Sequence, residues 1–374
     1  MAPFTAKNVS INMVLKKLLL QNFRNYSKKE FEFSSGTNII VGPNSIGKTN
    51  ISEAIYLLAS GKSVRTKGTE SEAIKYGNEM SNIKCQMTNG VTLEILLTTG
   101  EVAGEKAGKK KYLVNGVSKR QIDFLGNLRA VYFGPEDLQL LTDSPSLRRK
   151  YLDMVLFQVD REYARASLSY EKGVRSRNKI LEGMREFGIT DRNRLYFWDQ
   201  LLIKNGNIIT SSRGKFIDFL NARPKFKSIG EFQIEYDRST ISQERLGQYQ
   251  EEEIRAGVTL VGPHRDNFKF QITSRVAANF KLDEKRDLSV YGSRGEQRLA
   301  ILWLKLGEMN YIREKTASLP ILLLDDIFSE LDVEHRKLVF GVVKEQQTII
   351  TTADLGMVEK DWLKGVKIID LRTN

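Results

Sequence analysis

The sequence predicts an α/β protein with a phosphate-loop core, an added antiparallel sheet and an inserted helical lobe. Three observations carry this expectation. Gly42, Pro43, Asn44, Ser45, Ile46, Gly47, Lys48 and Thr49 spell G-x-x-x-x-G-K-T between a β-branched run and an amphipathic one. Ile321–Leu324 and Thr348–Thr351 are near-continuous apolar or β-branched runs, as parallel strands buried on both faces require. From about Leu147 to beyond Lys215 the pattern turns helical and strongly basic.

Residues 1–12 carry only scattered apolar side chains and read as a flexible extension, with Met1 and Met13 both open as starts. Val14–Phe23, Phe31–Phe33 and Thr37–Val41 read as strands, the last running straight into the glycine-rich loop. After the loop, Ile51, Ala54, Ile55 and Leu58 fall at i, i+3, i+4 and i+7, which gives the next helix one buried face. Val91, Leu93, Ile95 and Leu97 alternate like a half-buried strand. Tyr112-Leu113-Val114 followed by Asn115-Gly116 predicts a hairpin, because both turn residues tolerate the positive φ of a type I′ turn. Residues 13–143 thus form the N-terminal part of the core.

Leu152, Val155, Leu156 and Val159 open a helical lobe assigned to residues 144–227; it lacks the sustained heptads of a long coiled coil. Arg223-Pro224 ends it, since proline disfavours helix at the residue before it. Phe232–Tyr236 alternates like a strand, and residues 228–374 return to the core.

Charge narrows the partners. The chain of 374 residues carries a net +12, and the segment Ser144–Lys227 holds 18 Lys/Arg against nine Asp/Glu, so it alone contributes 18 − 9 = +9. A basic lobe on a nucleotide-binding core implies a polyanion, most simply nucleic acid; a well-solvated helical surface is the plainer alternative. The single cysteine, Cys85, rules out a disulfide framework and suits a reducing compartment. No apolar run approaches the ~18 residues of a membrane span, so a cytoplasmic location is expected.

The chemistry follows from the loop. Its backbone N–H groups and the start of the following helix favour phosphate, Lys48 reaches the outer phosphates, and Thr49 offers a hydroxyl to Mg²⁺. Such a loop needs an acid at a strand end, which Leu322-Leu323-Leu324-Asp325-Asp326 supplies. Asp325 takes the metal side and Asp326 orients or deprotonates water. Ser293-Arg294-Gly295-Glu296-Gln297 opens another helix and makes a second anion-binding corner through Ser293 and Gly295. His264 and His335 read as structural.

In this order the motifs resemble those of the ABC-type ATPases: Ser293–Gln297 is similar to their signature, Asp325-Asp326 to Walker B with its catalytic acid, and Ser329–Asp332 to the D-loop. The resemblance narrows to the RecF family through Asn22–Tyr26, Lys62–Thr66, Pro135–Leu138, Val261–Asp266 and Leu324–Asp332, and it runs from Met13 almost to the end. It implies ATP and Mg²⁺ as cofactors, Arg24 and Asn25 at the nucleotide edge, and a head-to-tail homodimer in which the signature of one subunit caps the nucleotide of the other. It also implies weak, DNA-stimulated ATP hydrolysis and a role in recombinational repair, replication and SOS induction, with duplex DNA and its single-strand junctions, and RecR, as partners.

Two departures stand out. Asp325-Asp326 replaces the Asp-Glu of many ABC ATPases, and the shorter second acid favours slow turnover. Thr351-Thr352-Ala353 stands where a switch histidine is expected, and no clear Q-loop glutamine stands near Pro135–Gln139, so the resemblance gives Thr352 and Gln139 no defined role. An SMC-like architectural ATPase is a second reading. Only 292 − 138 + 1 = 155 residues run from Leu138 to Gly292, too few for long arms and a hinge. The nucleotide-binding subunit of a transporter is a third, opposed by the basic lobe.

Overall fold

The computed structural model describes residues 14–66, 68–188, 191, 193–222, 231–275, 280–327, 336, 339, 343, 345–358, 363 and 365–372. The expected extension at 1–12, the Arg223-Pro224 break, Ser329–Asp332 and His335 lie outside the described residues.

The chain divides into two compact units, Met1–Leu138 with Leu304–Asn374, and Gln139–Trp303. The inserted lobe expected over 144–227 therefore belongs to a larger unit. That unit takes in a three-stranded sheet and Ser293–Gln297, which the sequence division placed with the C-terminal part of the core.

In the first unit, β1 (Leu15–Phe23), β2 (Tyr26–Glu32), β4 (Met80–Met87), β5 (Thr92–Thr98), β8 (Lys110–Val114) and β9 (Val117–Lys119) form an antiparallel sheet in the order β2-β1-β4-β5-β8-β9. The short β6 (Glu101–Val102) and β7 (Glu105–Lys106) pair as a hairpin beside it in sequence. The β8–β9 turn has Asn115 at φ 51° and Gly116 at φ 77°, the backbone that the Asn-Gly pair predicts.

The second sheet is parallel throughout, in the order β10-β14-β15-β3-β16: Ala130–Phe133, Ile321–Asp325, Thr348–Thr352, Thr37–Val41 and Lys367–Asp370. Its three central strands are almost wholly buried, which is why they read as unbroken apolar or β-branched runs. The helix Lys48–Ser60 packs on β10, β14 and β15 of this sheet and on β1 and β5 of the antiparallel one. One buried face was expected. The helix is instead buried from Ile51 to Ser60, because a sheet covers it on either side.

The second unit is built on an antiparallel hairpin of two long helices, Arg161–Phe187 and Asn193–Asn221. The helix Pro145–Leu156 precedes it, with proline at its start, and Val159 falls in the turn that follows. Asp160 caps the first long helix by accepting a bond from the Tyr163 backbone N–H. Strands β11 (Glu231–Asp237), β12 (Asn267–Arg275) and β13 (Phe280–Asp287) form the antiparallel sheet β11-β12-β13.

Two buried arginines hold this unit together. Arg213 donates from Nε to the Tyr163 hydroxyl at 3.0 Å, from Nη1 to the Pro263 carbonyl at 2.8 Å and Asp266 Oδ2 at 3.0 Å, and from Nη2 to Asp153 at 3.0 Å. Arg177 reaches Asp199 at 2.7 Å, Thr259 Oγ1 at 3.0 Å and Glu253 at 2.7 Å. Asp266 also accepts from Tyr236 and from the Ser239 backbone N–H. The Val261–Asp266 motif thus serves as scaffolding. His264 shares that role: Nε2 faces the Thr259 carbonyl, which can only accept, so Nε2 carries the proton and Nδ1 accepts from the Tyr170 hydroxyl. Burial pushes its pKa down to about 4.

Candidate functional site

Three adjacent parallel strands deliver the site. Asp325 pairs in register with Thr351, and Thr352 with Val41, so the C-terminal ends of β14, β15 and β3 lie side by side where the glycine-rich loop begins. This is where open parallel sheets bind ligands, because loops and helix starts converge there.

The loop has the backbone that phosphate capture requires. Ser45 has φ 69° and Gly47 φ 117°, and Gly47 caps the helix that starts at Lys48. Glycine is required at 47 for a second reason: a Cβ there would lie 2.7 Å from the Tyr26 hydroxyl oxygen and 2.8 Å from Asn25 Oδ1. The Asn25 amide donates to the Ile46 carbonyl at 2.8 Å, and Tyr26 donates to the Gly47 carbonyl at 3.2 Å, so this pair braces the loop from behind. The Lys48 ammonium lies on the loop, 2.6 Å from the Gly42 carbonyl and 3.0 Å from that of Pro43. Burial lowers its pKa, and the charges of Asp326 and Asp325 oppose that shift.

Asp325 is nearly inaccessible at 2% exposure and is held by hydroxyls. Oδ1 accepts from Thr49 at 3.2 Å and Thr351 at 2.5 Å, and Oδ2 lies 3.0 Å from the Tyr132 hydroxyl. Burial, with Asp325 and Glu136 nearby, pushes the Tyr132 phenol well above its ordinary range, so the hydroxyl keeps its proton. Among the described residues no group of three or more His, Cys, Asp or Glu could hold a metal. One carboxylate beside one threonine hydroxyl is still the hard-oxygen set that suits Mg²⁺ bound chiefly by phosphates. Thr49 and Asp325 would hold the ion, which neutralises developing phosphate charge when bound. Asp326 follows at φ 51°, and its backbone N–H points to both the carbonyl and the hydroxyl of Thr351.

Arg24, expected at the nucleotide edge, stands at φ 53° in the turn between β1 and β2. Its guanidinium forks onto Glu53, at 3.0 and 2.5 Å, and donates to the Glu72 carbonyl at 2.9 Å. Glu53 is fully buried on the loop helix and also accepts from Ser63 Oγ at 2.5 Å. The Lys62–Thr66 motif therefore folds against the back of the loop helix. Arg65 extends the network to Asn50 at 2.8 Å and to Glu136 at 3.5 Å. Sequence reasoning gives Glu53 and Tyr132 no place in the site and reaches Glu136 and Thr351 only through Pro135–Leu138 and Thr351-Thr352-Ala353; the fold brings all four to the loop or to Asp325.

The other corner lies in the second unit. Ser293 Oγ accepts from the Glu296 backbone N–H at 3.2 Å, and the Glu296 carboxylate accepts from the Ser293 N–H at 2.7 Å. This reciprocal cap starts the helix Arg294–Thr316, with Ser293 and Gly295 both exposed.

Comparisons with known proteins agree with this geometry. The RecF/RecN/SMC N terminal domain family matches residues 14–371. The chain is similar to the DNA replication and repair protein RecF of Lachnoclostridium phytofermentans, 36% identical over 354 residues that cover 92% of this chain and 93% of that one. The chain belongs to the RecF family. The RecF protein of Bacillus cereus is 33% identical over 380 residues, 96% of each chain. Among solved structures, the recombination mediator protein RecF bound to ATP in the RecFOR pathway superposes with a TM-score of 0.78 at 30% identity, covering 93% of this chain and 94% of that one. A second RecF structure, RecF-ATPrS, gives 0.76 at the same identity and coverage. The RecF superpositions agree with the mixed α/β fold and its parallel sheet, and no described helix is long and apolar enough to cross a membrane.

Proposed function

We propose that this RecF-type, ATP-binding repair protein works as an ATP-gated DNA clamp. Two ATP molecules with Mg²⁺ join two protomers head to tail. Ser293 and Gly295 of each protomer cap the nucleotide held by Lys48 and Thr49 of its partner. Joining brings the basic lobes onto DNA, and slow, DNA-stimulated hydrolysis with water oriented by Asp326 reopens the dimer. Cooperation with RecR and SOS induction in the cytoplasm complete the reading.

The observation that carries it is the capped but exposed helix start at Ser293–Gly295. A chain with one loop and one such corner, each able to bind an anion, can complete two sites by pairing with a copy of itself. DNA contact is supported by one face of the Arg161–Phe187 helix. Arg161, Arg165, Lys172, Arg175 and Lys179 are exposed there, within an arc of about 80° and along roughly 27 Å. Three cations counted in the basic segment do not contribute, because Arg148, Arg177 and Arg213 are buried.

Light scattering with ATP tests the reading directly. Wild type dimerises, Lys48→Met loses nucleotide binding, and Ser293→Arg binds ATP but stays monomeric. Normal dimerisation of Ser293→Arg overturns the composite site.

A further inference from the structure

The hydroxyl of Tyr132 lies 3.0 Å from Asp325 Oδ2 and 2.9 Å from Glu136 Oε2. A phenol has one proton, so it can donate to only one of the two carboxylates at a time. Arg65 bears on the choice, since its Nε stands 3.5 Å from Glu136 Oε1. A guanidinium beside Glu136 compensates that carboxylate's charge and lets the phenolic proton turn to Asp325.

The surrounding backbone is shaped around this hydroxyl. A Cβ on Gly134 would collide with it. Asp137 accepts from the Gly134 backbone N–H at 3.0 Å and is itself held by the buried Lys305 at 2.9 Å, so the turn that carries Glu136 is pinned at its base. The other oxygen of Asp325 is occupied by the Thr49 and Thr351 hydroxyls.

We propose that Tyr132 is a positioning residue for Asp325: its hydroxyl fixes the carboxylate so that Oδ1 faces Thr49, and Glu136 with Arg65 acts through that hydroxyl by setting where its proton goes. The inference deepens the nucleotide-site reading and rests on it, and its Mg²⁺ titration of analogue binding needs no dimer and no DNA.

The test uses a fluorescent ATP analogue and the full chain. Binding is titrated with Mg²⁺ and repeated in EDTA, and ATP turnover is measured alongside. For Tyr132→Phe the Mg²⁺ concentration giving half-maximal binding is expected to rise several-fold, while affinity in EDTA is unchanged. Turnover falls about tenfold with KM within twofold, a loss of positioning without a loss of binding. Gly134→Ala, which displaces the hydroxyl without removing it, shifts the Mg²⁺ requirement in the same direction. Glu136→Gln has a smaller effect in the wild-type background and none in the Tyr132→Phe background. An unchanged Mg²⁺ requirement in Tyr132→Phe overturns the proposal, and so does a Glu136→Gln effect that persists in full without the hydroxyl. Melting temperatures within a degree or two of wild type show that the fold is intact. Absence of analogue binding by wild type would instead overturn the nucleotide-site reading itself.

Discussion

Buried charge is handled in opposite ways in the two units. In the second unit, Arg213 and Arg177 each meet two carboxylates, and Arg213 also reaches the Tyr163 hydroxyl and the Pro263 carbonyl while Arg177 reaches Thr259, so charge faces charge. In the first, Asp325 is as deeply buried, yet among the described residues its hydrogen bonds come from the hydroxyls of Thr49, Thr351 and Tyr132. Neutral donors satisfy the hydrogen bonds of a carboxylate without cancelling its charge, and the Lys48 ammonium acts on Asp325 through the field rather than through a direct ion pair. The contrast separates scaffolding from the proposed chemistry: an arginine paired with carboxylates is finished, whereas in the reading proposed above the hydroxyl-bound Asp325 keeps its charge for Mg²⁺.

The largest effect expected from this contrast is on stability. Arg213→Met leaves Asp153 and Asp266 without their cation and should destabilise the 139–303 unit by about 3–5 kcal/mol, read from its urea unfolding midpoint. Asp325→Asn should behave differently. The amide can still accept from Thr49 and Thr351 and donate towards Tyr132, so stability should stay within about 1 kcal/mol. Turnover should fall by two to three orders of magnitude, about 3–4 kcal/mol in the barrier. If the two substitutions destabilise the fold equally, the contrast fails.

His264 sharpens the scaffolding side through pH. Its folded pKa of about 4 lies below the ordinary 6.5, so the folded state disfavours protonation. Its contribution is complete above pH 6.5 and is lost as pH falls from there to about 4, up to about 3 kcal/mol. Urea unfolding at intervals between pH 7 and pH 4.5 should show this slope, and His264→Gln should flatten it. The smallest effect belongs to the exposed Glu171–Arg175 pair at 2.8 Å, where Glu171→Gln should move stability by less than about 0.5 kcal/mol.

Much of the nucleotide side was legible because it is local. The loop, its preceding strand and its following helix are contiguous, and β14 ends at the acid that its apolar run announces. The basic lobe was legible only as composition. Counting Lys and Arg could not separate Arg177 and Arg213 from Lys172 and Lys179, because helical spacing gives a face but not what covers it. Arg24 shows the same limit: the motif around it gives it a place near the nucleotide, but not its partner Glu53, which lies 29 residues away.

The phosphate loop, the acid-tipped strand, the hairpin at Asn115-Gly116 and a helical, basic insertion can all be read from residue order alone. Those features depend on residue type and on periods of two or 3.6, which act over a few residues. That Tyr132 reaches Asp325 across 193 residues, that the loop helix is covered on both sides, and that the second unit extends to Trp303 emerge from the folded packing. Such pairings are chosen by packing and by the cost of leaving a buried polar group unmatched, and neither is written in any local stretch of the chain.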